Sequence, residues 1–528
     1  MARNALILLG LIALTLTVVS CGQQQVTQEQ LLSMLDSLEV KLEWLDFKMA
    51  QETWAFYSTG ESDSLEFYQR MYNELIQDPN LVNQLQVGKN LLTEEIDQRR
   101  REIMLGAILW GNVETDADIA SARDSLTELD QKYRPEFEGQ ARSRRYLYNT
   151  YRYDSNRQRR ESAYRAWCSS GDQVANGLAQ LFRARNQKAQ RLGYNNFLAL
   201  VFNVSGLRTE EYRGLLQQLD SLTRKPYLSI LDRMGAKLNL EQLEPWDLGY
   251  AYADINSAVD HYLPADSQLA YIKRSLKGMG LNLDKLPIYF DLDSRQNKSE
   301  YAFSFPIKPP HDVRILGNLS DGLLSTYILL HEVGHAVHFA SIVQDREIFA
   351  RNIEGAWAEG MAQTVAALLK EKEWLTEYAK LPPQLADSYL ASLKEQSIIN
   401  LRRRLLLFDF EYQAYVNPNR DINKLYWDLF EKYLWLPSHD ELKPWAAIIH
   451  YTSIPVYMQN YLYADIIAAQ NMNFIKENYG NPVDNPQASA FLVQNYFRFG
   501  GRYHWQELLE RGTDESLNPK YLVELLGL

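Results

Sequence analysis

From residue 31 to about residue 280, apolar positions recur every three or four residues. LLSMLDSLEVKLEWLDFKMA (31–50), LVNQLQVGKNLLTEEI (81–96) and VANGLAQLFRARNQKAQRLGY (174–194) all keep that spacing. Apolar side chains so spaced share one face of an α-helix, so the pattern predicts a chain built mainly of amphipathic helices. Pro and Gly are sparse and fall between the runs, as in LPAD (263–266) and LPPQ (381–384). One region breaks the period. LPIYFDL (286–292), YAFSFPI (301–307) and DVRILG (312–317) are short, rich in aromatic and β-branched residues, and separated by polar turns. They predict a small sheet, after which the helical period resumes to the C-terminus. No internal repeat or low-complexity segment interrupts this order.

The first residues depart from this pattern. MARNALILLGLIALTLTVVSCG has one cation, Arg3, then an apolar stretch from Ala5 to Val19 that is short for a bilayer span and reads as a signal peptide. Val18-Val19-Ser20-Cys21 resembles a bacterial lipobox, which implies removal of residues 1–20 and lipidation of Cys21. Gly22 in place of an aspartate lacks the inner-membrane retention signal, so the expected location is the cell envelope, on the outer membrane facing the periplasm. Residues 21–30 are expected to form a polar tether and residues 31–528 a single catalytic body. A chain of 528 residues exceeds what one core organises, which predicts two lobes.

Composition adds little to the fold but removes some functions. Hydrophobic residues make up 46% and charged residues 23%, as in ordinary globular proteins. The formal net charge of −12 argues against a nucleic-acid partner, whose phosphates would demand a basic face. Cys168 is the sole cysteine besides Cys21, so no disulfide within the mature chain is expected, and AYRAWCSS reads as a helix that buries its small thiol. The 33 tyrosines suit helix packing and peptide binding equally.

The chemistry concentrates in HEVGHAVH (331–338), which holds three of the chain's 8 histidines. Residues four apart share a helix face, so His331 and His335 can both offer an imidazole nitrogen to one metal, with Glu332 beside them to reach a water. This is the logic of the H-E-x-x-H zinc hydrolases. Catalytic zinc keeps one position open, so His338 is read as packing rather than as a further ligand. The third ligand is expected downstream, in IEGAWAEGMAQTVAALLKE. Glu354 lies 354 − 331 = 23 residues after His331 and Glu359 lies 359 − 331 = 28 after it. Spacing alone leaves both open. Glu359 starts a well-patterned helix with small neighbours, and Gln363, one turn on, could orient a ligand.

These residues resemble the zinc peptidases of the angiotensin-converting-enzyme type (family M2) and their M3 oligopeptidase relatives. In the converting-enzyme type the third ligand follows the first histidine by 28 residues, which implies Glu359. A D-F-R-I stretch precedes that histidine by 19 residues, where Asp312-Val313-Arg314-Ile315 stands here. The substrate-pairing edge strand aligns with Tyr301-Ala302-Phe303-Ser304, which implies main-chain substrate contacts at Ala302 and Ser304. HEVGHAVH itself is closer to the M3 pattern. RNQKAQRLGYNNF (185–197) and FRFGGRYHWQELLERGT (497–513) extend the resemblance outward. In IIHYTSIPVYMQNYLYADI (448–466), the resemblance implies His450 and Tyr461 as oxyanion donors and Tyr457 as a ligand for a substrate carboxylate.

The fold so implied is mainly α: a two-lobed helical gluzincin with a deep central cleft and a small antiparallel sheet beside the H-E-x-x-H helix. One Zn²⁺ per chain would be held by His331, His335 and Glu359 and lower the pKa of a water toward ~7, with Glu332 as base. Short peptides are the implied substrates, and a lipid-anchored monomer is expected. Peptidyl-dipeptidase action is the main reading. M3-type oligoendopeptidase action, aminopeptidase action and peptide binding without catalysis are the alternatives. Departures fall on Ile448, which replaces a carboxylate-anchoring lysine, on Tyr301, on Gln363 and on Gln459-Asn460, where a chloride-linked arginine stands in animal members. The resemblance therefore carries zinc-dependent hydrolysis further than dipeptide release or chloride activation.

Overall fold

A computed structural model describes residues 26–299 and 301–528. The expected signal peptide and Cys21 lie outside the described residues. The chain is mainly helical, as its periodicity predicts. The first helix, Gln28–Thr59, begins inside the expected tether because Thr27 and Gln30 close a capping box over its free amides. Leu31, Leu35, Leu38, Leu42 and Leu45 form its buried stripe. Leu31, Leu35, Leu38 and Leu42 join Ile76, Met104, Ile108 and Phe349 in a smaller apolar cluster, separate from the large core built by most other helices. No helix among the described residues is long and apolar enough to cross a membrane.

The sheet differs from the expected antiparallel one. Strand Asp312–Leu316 lies in the middle, antiparallel to Phe303–Lys308 but parallel to Ile288–Asp291. The reason is the connection 292–302, long enough to carry the chain past one strand width before it turns back. Alternation reveals strands, but it does not reveal which strand is inserted between two others. Phe303–Lys308 is an edge strand, as the resemblance implies, but it begins one residue after Ala302.

Helix Leu323–Ala340, which carries His331 and His335, follows this sheet. It starts at Gly322, whose φ of 105° is open to glycine, and where a Cβ would meet Asp260 Oδ1 at 2.6 Å. Asp260 Oδ1 in turn accepts the Leu323 N–H at 2.8 Å. Helix Gly355–Ala366, which carries Glu359, crosses the His331 helix at Gly334. A Cβ on Gly334 would lie 2.8 Å from the Ala362 Cα, so the glycine in HEVGH sets how closely the two helices approach. Helix Met458–Tyr479 packs on the other side of the Glu359 helix. We expect Gly334→Ala to push these helices apart and to cost about 1–3 kcal/mol of stability in denaturant unfolding, with weaker metal retention. An unchanged unfolding midpoint would show that the crossing has slack.

Candidate active site

Helical spacing and the glycine crossing bring His331, His335 and Glu359 together. Their ligand atoms all lie within 4.8 Å of one another. The two Nε2 atoms are 3.1 Å apart, and Glu359 Oε2 is 3.2 Å from His331 Nε2 and 3.8 Å from His335 Nε2. Despite these distances, no donor is aligned on buried Glu359 Oε2. The two Nε2 atoms, which have only each other as partners, and the unsatisfied Glu359 Oε2 face one point. A divalent cation fits that donor set. Glu359 Oε1 accepts the Tyr457 hydroxyl at 2.6 Å. Burial alone would raise the Glu359 pKa, but the two imidazoles and Tyr457 outweigh it and hold the carboxyl down to about 2.

Glu332 occupies the neighbouring position. Burial raises its carboxyl to about 7, against the pull of His331 and of a hydrogen bond from the Ser304 backbone N–H. Ser304 is thus brought to the site by its main chain, but that N–H is turned to the base. Ala302 lies just before the strand. His335 is held down to about 4 by burial. His338 stands apart from the cluster. It is buried with its ring stacked on Phe497 at 4.8 Å, as the packing reading expects.

His450, Tyr457 and Tyr461 form a second group against the first. His450 Nε2 is 3.3 Å from the Tyr461 hydroxyl, and the two tyrosine rings are 5.6 Å apart. Burial, reinforced by the Glu359 charge, keeps both hydroxyls protonated well beyond the usual phenol range, so they are donors. Tyr457 is placed differently from the role the resemblance implies. Its hydroxyl is committed to Glu359 rather than held out for a substrate carboxylate. Removing that donor by Tyr457→Phe is expected to weaken metal affinity ~10–100-fold in a competition titration, as for other partners behind metal ligands. An unchanged affinity would mean the hydroxyl faces substrate instead.

Glu354, the other candidate ligand, is drawn away. It accepts from Arg99 at 3.2 Å and from the Trp505 N–H at 2.9 Å, and lies 2.9 Å from His504 Nδ1. His504 Nε2 also lies 3.1 Å from Glu102 Oε2. Glu102 and Glu354 hold the His504 imidazolium up to about 9. A pKa raised on folding stabilises the charged form, so this contribution is full below the unfolded value of about 6.5 and is lost as pH rises through about 9. Unfolding free energy should therefore fall between pH about 6.5 and about 9 in the native chain, and fall less in His504→Gln. Equal slopes in the two proteins would contradict this.

Two contributors escaped the sequence reading. Tyr327 lies one turn before His331, stacks on its ring at 6.2 Å, and donates to Gln363 Oε1 at 2.5 Å. Gln363 thus acts on His331 through Tyr327, and the Tyr327–His331 spacing of four was the available signal. Arg404 pairs with Asp465, one turn below Tyr461, and its charge reaches Tyr461 and Tyr327. Nothing in the sequence pointed to that pair.

No family model matches the chain. Group B oligopeptidase PepB from Streptococcus agalactiae serotype III (strain NEM316) is 22% identical over 388 residues, 70% of this chain. The match spans 62% of that protein's length. Among solved structures, PZ peptidase A with an inhibitor superposes with a TM-score of 0.70 at 16% identity, covering 95% of both chains. A carboxypeptidase from Pyrococcus furiosus gives 0.66 at 15% identity, covering 96% of this chain and 99% of its own. A putative oligoendopeptidase F from Bacillus anthracis str. Ames gives 0.64 at 15% identity, covering 96% of this chain and 95% of its own. At these identities the likeness is one of fold, shared by oligopeptidases and a carboxypeptidase alike.

Proposed function

We propose that this chain is a zinc-dependent oligopeptidase that cleaves inside short peptides. The observation that carries the reading is the convergence of His331, His335 and the bare Glu359 oxygen beside Glu332. Similarity to an oligopeptidase and to peptidase folds supports it. A divalent ion held by those three residues would acidify a water and polarise the scissile carbonyl. Glu332 is placed to take the proton of the attacking water and return it to the leaving amine. The Ser304 N–H holds the Glu332 carboxylate in position for this. His450 and Tyr461 would donate to the developing oxyanion, where loss of one donor costs ~3 kcal/mol of barrier. The edge strand would pair with an extended peptide through main-chain groups near Ala302 and Ser304 other than the Ser304 N–H, which Glu332 engages.

Endopeptidase action is favoured over release of C-terminal dipeptides. The groups that would hold a carboxylate next to the scissile residues are missing: Ile448 replaces the lysine, and Tyr457 is engaged by Glu359. The test is digestion of a defined peptide library by the purified chain, with and without a chelator. Internal cleavage that stops on chelation and resumes with Zn²⁺ is expected. Chelator-insensitive cleavage, or none, would refute the reading.

The lipid anchor belongs to the same proposal. Cys21 would carry it, placing the protein as a monomer on the outer membrane, facing the periplasm. The supporting observation is the Val18-Val19-Ser20-Cys21 sequence after an apolar run. Mass spectrometry of the N-terminal peptide should find Cys21 acylated, and an unmodified residue there would contradict it.

A further inference from the structure

Glu411 lies on the long helix Pro383–Val416, in the interior of the protein and 3% exposed. Its carboxylate accepts the backbone N–H of Val456 at 2.7 Å. Arg185, which holds the Tyr451 and Thr452 carbonyls nearby, is paired with Glu114 at 2.6 Å. No ion pair reaches Glu411 among the described residues. A buried acid without a cation is costly to keep where an apolar side chain could pack, so its bond to Val456 has a purpose beyond filling space.

Val456 sits in the turn 454–456. That turn joins the short helix Ile449–Ser453, which carries His450, to helix Met458–Tyr479, which carries Tyr461. Its φ is 54°. Among the described residues no other β-branched residue has φ above zero, where a branched Cβ is most crowded. Glycine ordinarily takes such a place in a turn, directly after a proline such as Pro455. Two buried side chains clamp the strained residue. Glu411 takes its N–H, and Gln459 Nε2 donates to its carbonyl at 2.7 Å. Strained backbone persists only where its surroundings over-determine it, and this clamp does so.

The next residue is Tyr457. Its Cε2 lies 3.4 Å from where a Cβ on Gly355 would stand, at the start of the Glu359 helix. Its hydroxyl donates to Glu359 Oε1 at 2.6 Å. Relaxing Val456 to the ordinary negative φ would rotate the chain that follows by more than about 100° and take Tyr457 off Glu359.

We propose that Glu411 is a positioning residue for the metal centre. By holding the Val456 N–H it keeps the turn in the conformation that delivers the Tyr457 hydroxyl to Glu359. The metal itself rests on the zinc-peptidase reading above.

The test is a Zn²⁺ competition titration on the full-length chain. Glu411→Leu should weaken Zn²⁺ binding about tenfold, the low end of what loss of the Tyr457 hydroxyl costs. In a Tyr457→Phe background the same substitution should cost nothing more, whereas general loosening of the fold would cost the same in both. Adding Val456→Gly to Glu411→Leu should recover most of the loss, because glycine takes this φ unaided. Unchanged affinity in Glu411→Leu, an equal loss in the Tyr457→Phe background, or no recovery with Val456→Gly overturns the proposal. If Glu411→Leu does not fold, Glu411→Asp, which draws the carboxylate back by one methylene, carries the same comparison, and native affinity in that variant overturns it. A native chain that binds no Zn²⁺ overturns the metal reading and this proposal together. A chain that binds Zn²⁺ but cleaves no peptide overturns the peptidase reading and leaves the affinity comparison standing.

Discussion

Glu332→Gln should keep the fold and its metal while kcat falls by ~10²–10⁴-fold, the range for loss of a general base. The substitution keeps the side chain's size, and its amide oxygen can still accept the Ser304 N–H. Its carboxyl lies beside the cluster, held by the Ser304 N–H, and Glu359, the neighbouring carboxylate, is taken up with the two imidazoles and Tyr457. Metal content by mass spectrometry and thermal unfolding serve as controls. Turnover within a few-fold of the native value, with metal retained, would remove Glu332 from the mechanism.

The second large effect separates two glutamates five residues apart. Glu359→Ala should lose the metal, with an affinity drop beyond the ~10–100-fold that an outer partner costs. Glu354→Ala should bind metal normally but unfold more easily, because it strips the acceptor from Arg99, His504 and the Trp505 N–H. Leaving the buried Arg99 and Trp505 donors unmet costs roughly 1–3 kcal/mol each, whereas half-exposed His504 keeps Glu102. Equilibrium dialysis with Zn²⁺ and denaturant unfolding distinguish the two variants. Metal loss in Glu354→Ala with retention in Glu359→Ala would reverse the assignment.

That pair also marks how far the sequence could be read. The histidine pair was legible because helix geometry is local: four residues always return to the same face. The choice between Glu354 and Glu359 was not, because it depends on where two helices cross, and the crossing is set by Gly334 against Ala362. The leucine stripe from Leu31 to Leu45 announced its helix for the same local reason. Strand order was hidden, since alternation is blind to which neighbour a strand chooses. Tyr457 was recognisable as a site residue, but not by its partner, because the hydroxyl's direction follows from the turn at the start of helix Met458–Tyr479. Arg402, Arg403 and Arg404 are indistinguishable in sequence. The folded chain sets Asp220 against Arg402 and Asp465 against Arg404, while no described acid pairs with Arg403.

The most direct test of the central claim is anomalous diffraction at the zinc edge from crystals grown with Zn²⁺. One peak per chain is predicted, ~2.0–2.2 Å from His331 Nε2, His335 Nε2 and a Glu359 oxygen, with a coordination position left for water. A peak elsewhere, or three side chains turned away from any ion, would contradict the account.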